Sequence, residues 1–173
     1  INKGLIADIP FNRGIAALKE YSKIIKDQNT EKVVALATSA IRTAKNGLDF
    51  VSKAKSEAGI DVEIIDGNRE AELIYFGNRE AVKMNDNLSL IMDIGGGSTE
   101  FIIANKDTIL WKQSFMLGAA RLLELINPSD PITEDETKRL FSYFDEQLLP
   151  LLEACKKHKP VELIGSSGAF DSI

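Results

Sequence analysis

The strongest chemical signal in the sequence is one run of eight residues, Asp93-Ile94-Gly95-Gly96-Gly97-Ser98-Thr99-Glu100. Apolar runs lie on both sides of it, at residues 88–92 and 101–104. Glycine has no Cβ, so backbone N–H groups in such a segment can approach a ligand closely and form an anion-binding concavity. Ser98 and Thr99 add hydroxyl donors, and we expect Gly96 to take the positive φ that glycine tolerates. The run therefore predicts a phosphate-binding loop.

Carboxylates stand at both ends of this loop. Asp93 ends the first apolar run and Glu100 begins the second. Carboxylate oxygens are ligands that Mg²⁺ prefers, and Mg²⁺ commonly accompanies phosphate substrates. A plain hairpin turn is the alternative, but such a turn commonly needs only a pair such as Asn-Gly or Asp-Gly. Three glycines between two acids therefore favour a phosphate site with Mg²⁺ over a simple turn.

The segment after the glycines narrows the type of loop. In a Walker loop or a dinucleotide-binding loop, the glycines lead from a strand into a helix. Here residues 101–104 are short and apolar, and residues 105–107 form a turn into another extended run at 108–111. The glycines are thus predicted to connect strand to strand. This arrangement resembles the hairpin phosphate loops of the actin, sugar kinase and Hsp70 type of ATPase domain, which has a ribonuclease H-like fold.

Composition excludes several classes of protein. The chain of 173 residues is 44% hydrophobic and 27% charged, as globular proteins are. No apolar stretch approaches the roughly 18 residues of a membrane span, and residues 1–5 show no signal-peptide pattern, so we expect a cytoplasmic protein without membrane contact. The net charge of −5 disfavours a general nucleic-acid binder. A polyanionic substrate would need a local basic patch, and Arg42, Lys45 and Arg121 lie near the motifs.

Cysteine and histidine each occur once, as Cys155 and His158. A single cysteine excludes both an intramolecular disulfide and a cysteine-rich metal site. His158 lies in a lysine-rich run at residues 156–159, which is typical of a solvated surface. Acid–base chemistry is therefore expected from carboxylates.

Helical and extended patterns alternate along the chain. Asp8 and Pro10 serve as start signals for a first helix of about four turns. The other predicted helices span residues 48–58, 69–84, 118–126 and 133–154, and strands outside the glycine hairpin span 32–37, 62–65 and 161–164. The most linker-like segment is 85–87, so we place a domain boundary there, with domains at 1–85 and 86–173. The pattern predicts an α/β fold with mixed sheets.

Three strand-to-helix junctions carry polar or small residues, at 37–42, 66–72 and 164–169. Ligands bind at such junctions because the carboxyl ends of the strands open onto crevices. Arg42 in the first junction either contacts a ligand or is only a surface charge on a capped helix. Glu70 in the second lies in a first helical turn, where an acid also interacts favourably with the helix dipole. The third offers its backbone to phosphate or nucleoside, or allows tight packing, and both interpretations stay open.

Taken together, these segments resemble the Ppx/GppA phosphatases, a family of exopolyphosphatases and guanosine pentaphosphate phosphohydrolases. The similarity runs along nearly the whole chain. Residues 37–46 resemble the family's A-T-S-A-x-R-x-A-x-N segment, and residues 67–75 resemble its G-x-x-E-A-x-L-x-Y helix start. Residues 93–100 match D-I-G-G-G-S-T-E, residues 114–121 match S-x-x-x-G-x-x-R, and residues 165–168 match G-x-S-G. Ordered motifs identify the family far better than one glycine loop does.

The resemblance implies a reaction and a role for each site residue. The reaction is Mg²⁺-dependent hydrolysis of the terminal phosphoanhydride of linear polyphosphate, or of the 5′-terminal phosphate of guanosine pentaphosphate. Glu70 matches the glutamate that orients and deprotonates the attacking water, while Asp93 and Glu100 support the metal. Residues 95–99 hold the phosphoryl oxygens, and Arg42 neutralises charge on the transferred group. This division agrees with phosphoryl transfer, which is catalysed mainly by positioning and electrostatic stabilisation.

The sequence departs from the family at both ends. The family's first strand, D-x-G-[ST]-N-[ST], does not occur among residues 1–13, and the chain stops at Ile173, where the family continues. The resemblance therefore implies an internal fragment with the later part of a first domain and the earlier part of a second. Such a fragment, taken alone, could bind Mg²⁺ and still fail to turn over.

Two other classes of function stay open. A kinase or chaperone-like ATPase of the same fold would share the glycine hairpin, because fold alone does not decide chemistry. A non-catalytic regulatory homologue would be expected to lack Glu70 or Asp93, and both are present. Within the phosphatase class, the choice between polyphosphate and guanosine pentaphosphate is undecided, as is the oligomeric state, including a homodimer.

Overall fold

A computed structural model describes residues 4–172, and these form two compact units, one within Ile1–Asp66 and one within Gly67–Ile173. No helix among residues 4–172 is long and apolar enough to span a lipid bilayer. Each unit has its own buried apolar cluster, so the core of each can be described by itself.

In the first unit, helices surround a pair of short parallel strands. Its elements are α1 (Asp8–Asp27), β1 (Ala35–Ala37), α2 (Ser39–Thr43), α3 (Gly47–Lys53) and β2 (Val62–Ile64). A π-helical turn, Ala54–Ala58, extends α3, and Gly59 ends it with a left-handed φ of 68°. Ile15 and Phe50 are buried together with Ala54, and this cluster joins α1 to α3.

The second unit is a mixed sheet covered by helices. Its elements are α4 (Gly67–Ala81), β3 (Ser89–Ile94), β4 (Thr99–Ala104), β5 (Ile109–Phe115), α5 (Ala119–Ile126), α6 (Glu134–Gln147), α7 (Leu149–His158), β6 (Glu162–Ser166) and a 3₁₀ turn (Gly168–Ser172). The strand order is β5-β4-β3-β6, with β6 parallel to β3 and the other pairs antiparallel. The predicted α/β class with a mixed sheet is confirmed.

Strand β4 lies inside this sheet and is buried along its whole length. Successive side chains of a strand point to opposite faces. Ile102 accordingly packs in a cluster with Tyr75 of α4, while Phe101 packs with Leu151 of α7. Because both faces are covered, the β3–β4 hairpin is a rigid support for the loop at its end.

Two predicted elements are shorter in the structure. The helix predicted over residues 133–154 is two helices, α6 and α7, which meet at Leu148. Pro150 lies in the first turn of α7, the one part of a helix that tolerates a residue without an N–H, so a new helix begins there. The strand predicted over 32–37 is only the three-residue β1, because its parallel partner β2 is equally short.

Helix α4 packs on the sheet of the second unit. Its Tyr75 is buried beside Ile91 and Ile102 of the strands. The compact units therefore divide after Asp66, ahead of the linker-like segment at 85–87. The domain boundary predicted between residues 85 and 86 stays a prediction.

Candidate active site

The glycines form the turn of the β3–β4 hairpin, as predicted. Asp93 faces Glu100 across the hairpin, and Ile94 pairs with Thr99 as the last pair before the turn. The N–H of Gly95 donates to the carbonyl of Ser98 over 3.0 Å and closes the turn. The loop is therefore residues 95–98, with one carboxylate on each of its two supporting strands.

All three glycine carbonyls accept hydrogen bonds from the start of α5. The N–H of Ala119 donates to Gly95 over 2.9 Å, and the N–H of Arg121 donates to Gly96 over 3.1 Å. The Nε of Arg121 donates to Gly97 over 2.9 Å. The loop is thus attached to a helix that follows much later in the chain.

Gly118, which precedes α5, allows this attachment. A Cβ on Gly118 would lie 2.4 Å from both the carbonyl carbon of Gly96 and the nitrogen of Gly97. Real side chains do not approach backbone so closely, so any other residue would push the loop away from the helix. The residue types alone did not assign Gly118 a role; its only signal was its place in the S-x-x-x-G-x-x-R motif.

The N–H groups of the loop differ from its carbonyls in their hydrogen bonding. Within residues 4–172, the backbone N–H groups of Gly96, Gly97 and Ser98 donate to no protein acceptor. Three successive N–H groups of this kind are suited to an anion. The geometry therefore supports main-chain binding of phosphate.

The expected positive φ at Gly96 is wrong. Among the described glycines, positive φ values occur at Gly4 and Gly59. A Cβ on Gly96 would meet only the Cβ of Ala120, at 4.0 Å, which is ordinary contact. The loop therefore needs a glycine at 118 for steric reasons, and no such backbone requirement applies at 96.

The hydroxyl groups of the loop point into the protein. Thr99 is buried and its Oγ1 donates to the carbonyl of Leu117 over 3.0 Å. Ser98 is also buried, and its side chain forms a hydrogen bond with Glu100. A hydroxyl has one proton to donate, so Thr99 has no donor left for a ligand in this arrangement. Phosphate contact by these two residues stays a prediction, which the geometry favours for Ser98 through its backbone N–H.

Two carboxylates, those of Asp93 and Glu100, lie on the strands that support the loop, and the charge of a third, that of Glu70, acts on Glu100. Glu100 is only 2% exposed, and its Oε1 accepts a hydrogen bond of 2.6 Å from Ser114 Oγ. Burial raises the pKa of the Glu100 carboxyl above its ordinary value, while hydrogen bonds from Ser114 and Ser98 partly oppose the rise. The negative charges of Glu70 and Asp93 raise that pKa further. The charges of the predicted base, Glu70, and of one predicted metal ligand, Asp93, therefore both act on the other predicted metal ligand, Glu100.

The donor chemistry at this cluster suits Mg²⁺. Mg²⁺ keeps several waters and is usually bound by one or two carboxylates together with substrate phosphates, without an all-protein cage. Residues 4–172 contain no group of three histidine, cysteine or acidic side chains placed to enclose a metal. Asp93 and Glu100 supply two carboxylates on neighbouring strands, so they fit this mode of binding.

Arg42 lies in the first compact unit, on α2. Its Nη1 donates to the carbonyl of Ile65 over 2.8 Å, just after β2 ends. This bond fixes the arginine at the carboxyl ends of the two parallel strands of its own unit. Its role toward a phosphoryl group stays a prediction.

The third junction follows β6, beside β3. Ser166 pairs with Asp93 across the two parallel strands, and Ser167 Oγ donates to the carbonyl of Ile94 over 3.2 Å. A Cβ on Gly165 would lie 2.3 Å from Cδ1 of Phe170, so this glycine is required by packing. The packing interpretation therefore holds for Gly165, while the serines lie next to the acidic cluster.

Comparisons with known proteins agree with the motifs. The sequence model of the Ppx/GppA phosphatase family matches residues 2–173. Exopolyphosphatase 1 of Mycobacterium tuberculosis (strain CDC 1551 / Oshkosh) is 28% identical over 160 residues, which are 92% of this chain and 46% of that protein. A crystal structure of an exopolyphosphatase from Cytophaga hutchinsonii is 46% identical with a TM-score of 0.97, covering 99% of this chain and 55% of that one.

A more distant solved structure shares the fold. The Ppx/GppA family member of Aquifex aeolicus is 33% identical with a TM-score of 0.73, covering 96% of this chain and 53% of that one. The chain thus spans about half the length of the relatives it matches. The predicted actin-like fold class is confirmed.

We predict that substitution by alanine destabilises the chain at Gly118 but not at Gly96. Gly118→Ala places a Cβ against the loop backbone and should destabilise the chain by about 1 to 3 kcal/mol, the usual cost of overpacking. Gly96→Ala adds a Cβ in ordinary contact with Ala120 and should leave the free energy of unfolding nearly unchanged. Urea denaturation followed by circular dichroism measures both. Equal stability of the two variants would mean that the contact between loop and helix is loose.

A second prediction concerns the buried Glu100. A carboxyl whose pKa is raised on folding binds its proton more tightly in the folded state, so stability falls as the pH rises through the interval above the ordinary glutamate value. Glu100→Gln removes this loss. The melting temperature of Glu100→Gln relative to wild type should therefore be higher at about pH 7 than at about pH 4, near the ordinary pKa.

The measurement is thermal unfolding in buffers without divalent cations. Glu146→Gln, at an exposed position on α6, is the matched control and should follow wild type at both pH values. An identical pH dependence of the melting temperature in Glu100→Gln and wild type would contradict the raised pKa.

Proposed function

The chain belongs to the Ppx/GppA phosphatase family, and we propose that the protein it forms hydrolyses the terminal phosphoanhydride bond of linear inorganic polyphosphate. The observation that carries this proposal is a turn whose N–H groups at Gly96, Gly97 and Ser98 meet no acceptor within residues 4–172, held between strands that each bear a carboxylate. Similarity to proteins named exopolyphosphatase supports the choice of substrate. The alternative is the 5′-terminal phosphate of guanosine pentaphosphate, whose end presents the same chemical group.

The glycine loop would hold the terminal phosphoryl group. Its N–H groups at Gly96, Gly97 and Ser98 can donate to equatorial oxygens, on which negative charge is spread in the transition state. Donors that are already in place need not reorganise during the reaction, and such preorganisation is usually a large part of catalysis. The covered hairpin and its attachment to α5 keep the donors in place.

Asp93 and Glu100 would hold Mg²⁺ at the edge of this loop. When bound, the ion neutralises charge on the phosphate oxygens. The protein's own contribution is to place Asp93 opposite Glu100 in the strand register and to hold the Glu100 carboxylate by its bond from Ser114. A cation there would also offset the repulsion that Glu70 and Asp93 exert on Glu100.

Glu70 is the proposed general base. It lies in the first turn of α4, where the helix dipole favours a negative charge, and its own charge acts on Glu100. In the proposed step, a water oxygen forms a bond to the terminal phosphorus while the bond to the bridging oxygen breaks. Glu70 accepts the proton of the water, and the shortened polyphosphate leaves with the bridging oxygen.

Arg42 completes the proposal as a charge-neutralising residue. A guanidinium carries a positive charge and presents a fork of N–H donors that matches the geometry of phosphate oxygens. This assignment rests on the family motif at residues 37–46. A cytoplasmic location and a homodimer likewise remain predictions from the sequence and the family.

The proposal is tested with the complete protein. Phosphate release is measured from long-chain polyphosphate, from guanosine pentaphosphate and from ATP at equal concentrations of terminal phosphate. Preferred release from polyphosphate supports the proposal, and preferred release from guanosine pentaphosphate supports the alternative. Turnover of ATP alone would instead indicate a kinase-like or chaperone-like ATPase.

We predict that Glu70→Gln lowers the kcat of the complete protein by about 10²-fold to 10⁴-fold, the usual contribution of a positioned general base. The amide cannot accept the proton of the attacking water, but it has the same shape, so the fold should persist. Glu80→Gln, at an exposed position on the same helix, is the control and should retain full activity. Undiminished turnover by Glu70→Gln would remove this residue from the mechanism.

A further prediction concerns the metal. Asp93→Asn replaces an anionic oxygen with a neutral one, which a hard dication binds less well. The Mg²⁺ concentration that gives half-maximal activity should rise at least tenfold, with a lower maximal rate. Asp107→Asn, in the exposed β4–β5 turn, is the control. If the Mg²⁺ titration of Asp93→Asn overlays that of wild type, Asp93 is not a ligand.

A further inference from the structure

We propose that the start of α5 determines which side of the glycine loop faces the substrate, and that Arg121 is the positioning residue of this device. This inference rests on the proposed function, since it assigns the loop to phosphate. It concerns residues outside the predicted set of catalytic, phosphate-binding and metal-binding residues. Its physical basis is the geometry of the peptide bond.

A trans peptide bond is planar, and its C=O and N–H point in opposite directions. The carbonyl of Gly95 shares a peptide unit with the N–H of Gly96. In the same way, the carbonyl of Gly96 belongs with the N–H of Gly97, and the carbonyl of Gly97 with the N–H of Ser98. Each of these three carbonyls accepts a hydrogen bond from a residue of α5. The three matching N–H groups must therefore point away from α5, all on the same side. Attachment of the carbonyls thus creates the row of donors.

The attachment is mutual. The first N–H groups of any helix lack partners inside the helix. The N–H groups of Ala119 and Arg121 find theirs in the loop, and Gly118, at the N-cap position, has no side chain to compete. A helix start that needs acceptors and a loop whose carbonyls need donors therefore fix one another.

Arg121 differs from the other anchors because its bond to Gly97 comes from a side chain. This bond orients the peptide unit that supplies the N–H of Ser98. Its donor is charged, and charge-assisted hydrogen bonds are roughly twice as strong as neutral ones. The carbonyl is also polarised by the guanidinium, which makes the N–H of the same peptide unit a better donor. Arg121 thus acts on a ligand through Gly97.

The experiment uses NMR on the whole protein, with ¹⁵N and ¹³C labels in glycine, serine and arginine. The ligand-free protein should show a scalar coupling across the hydrogen bond from Arg121 Nε to the Gly97 carbonyl carbon. Arg121→Met should shift the Gly97 carbonyl resonance and speed the amide exchange of Ser98. Arg139→Met, at an exposed position on α6, removes the same charge and should change neither signal.

Titration with tripolyphosphate and Mg²⁺ then tests the consequence. The amide resonances of Gly96, Gly97 and Ser98 should shift in the wild type, and Arg121→Met should weaken binding about tenfold to a hundredfold, as loss of a charge-assisted bond would. Arg139→Met should bind like wild type. Equal weakening in both variants would assign the effect to net charge and overturn the positioning role.

The ligand-free signals separate this inference from the proposed function. If Arg121→Met shifts the Gly97 carbonyl resonance and speeds Ser98 exchange but the wild type does not bind tripolyphosphate, the positioning role stands and the phosphate assignment is refuted. A wild type without the coupling, or a folded Arg121→Met with unchanged loop signals and affinity, would overturn the inference whatever the activity. Absence of the coupling in the wild type would overturn the inference even if Arg121→Met does not fold.

Discussion

The candidate site depends on one reciprocal interaction, the hydrogen bonds between the start of α5 and the carbonyls of the glycine loop. A helix start has unsatisfied donors, and a tight turn has unsatisfied acceptors, so each would be costly to bury alone. Joined, they satisfy one another and leave the opposite edge of the turn rich in N–H groups. Gly118 makes the contact possible because a side chain there would occupy the space of the loop backbone.

The electrostatics of the site oppose the folding of the empty protein. Glu100 is buried next to two other acids, and burial together with their charges disfavours its ionised form. Hydrogen bonds from Ser98 and Ser114 offset only part of this cost. Perturbed carboxyl groups of this kind concentrate at functional sites, where a cation or a substrate supplies the missing compensation. The raised pKa of Glu100 therefore agrees with the cation-binding role proposed for this carboxylate and is not a contribution to stability.

The topology of the second unit explains why these groups converge. Because β3 and β6 are parallel, their carboxyl ends lie side by side, and Asp93 is there next to Ser166. Because β4 is antiparallel to β3, its amino end also lies there, and this places Glu100 opposite Asp93. Glu70 lies in the first turn of α4, and its charge acts on Glu100. Ligands of α/β folds usually bind at the carboxyl ends of the strands, because loops and helix starts meet there.

The sequence by itself determined the class of the fold, the hairpin that carries the glycines and the acids on either side of them. These features are local, since the alternation of apolar and polar residues and the types of residue in a turn act over short distances. Tertiary structure decided the rest. The break between α6 and α7, the packing of α4 on the second unit and the ordinary φ of Gly96 all depend on contacts between distant segments. The roles of Gly118 and Arg121 depend on such contacts too, because a glycine and an arginine in a motif acquire meaning only when the loop they touch is known.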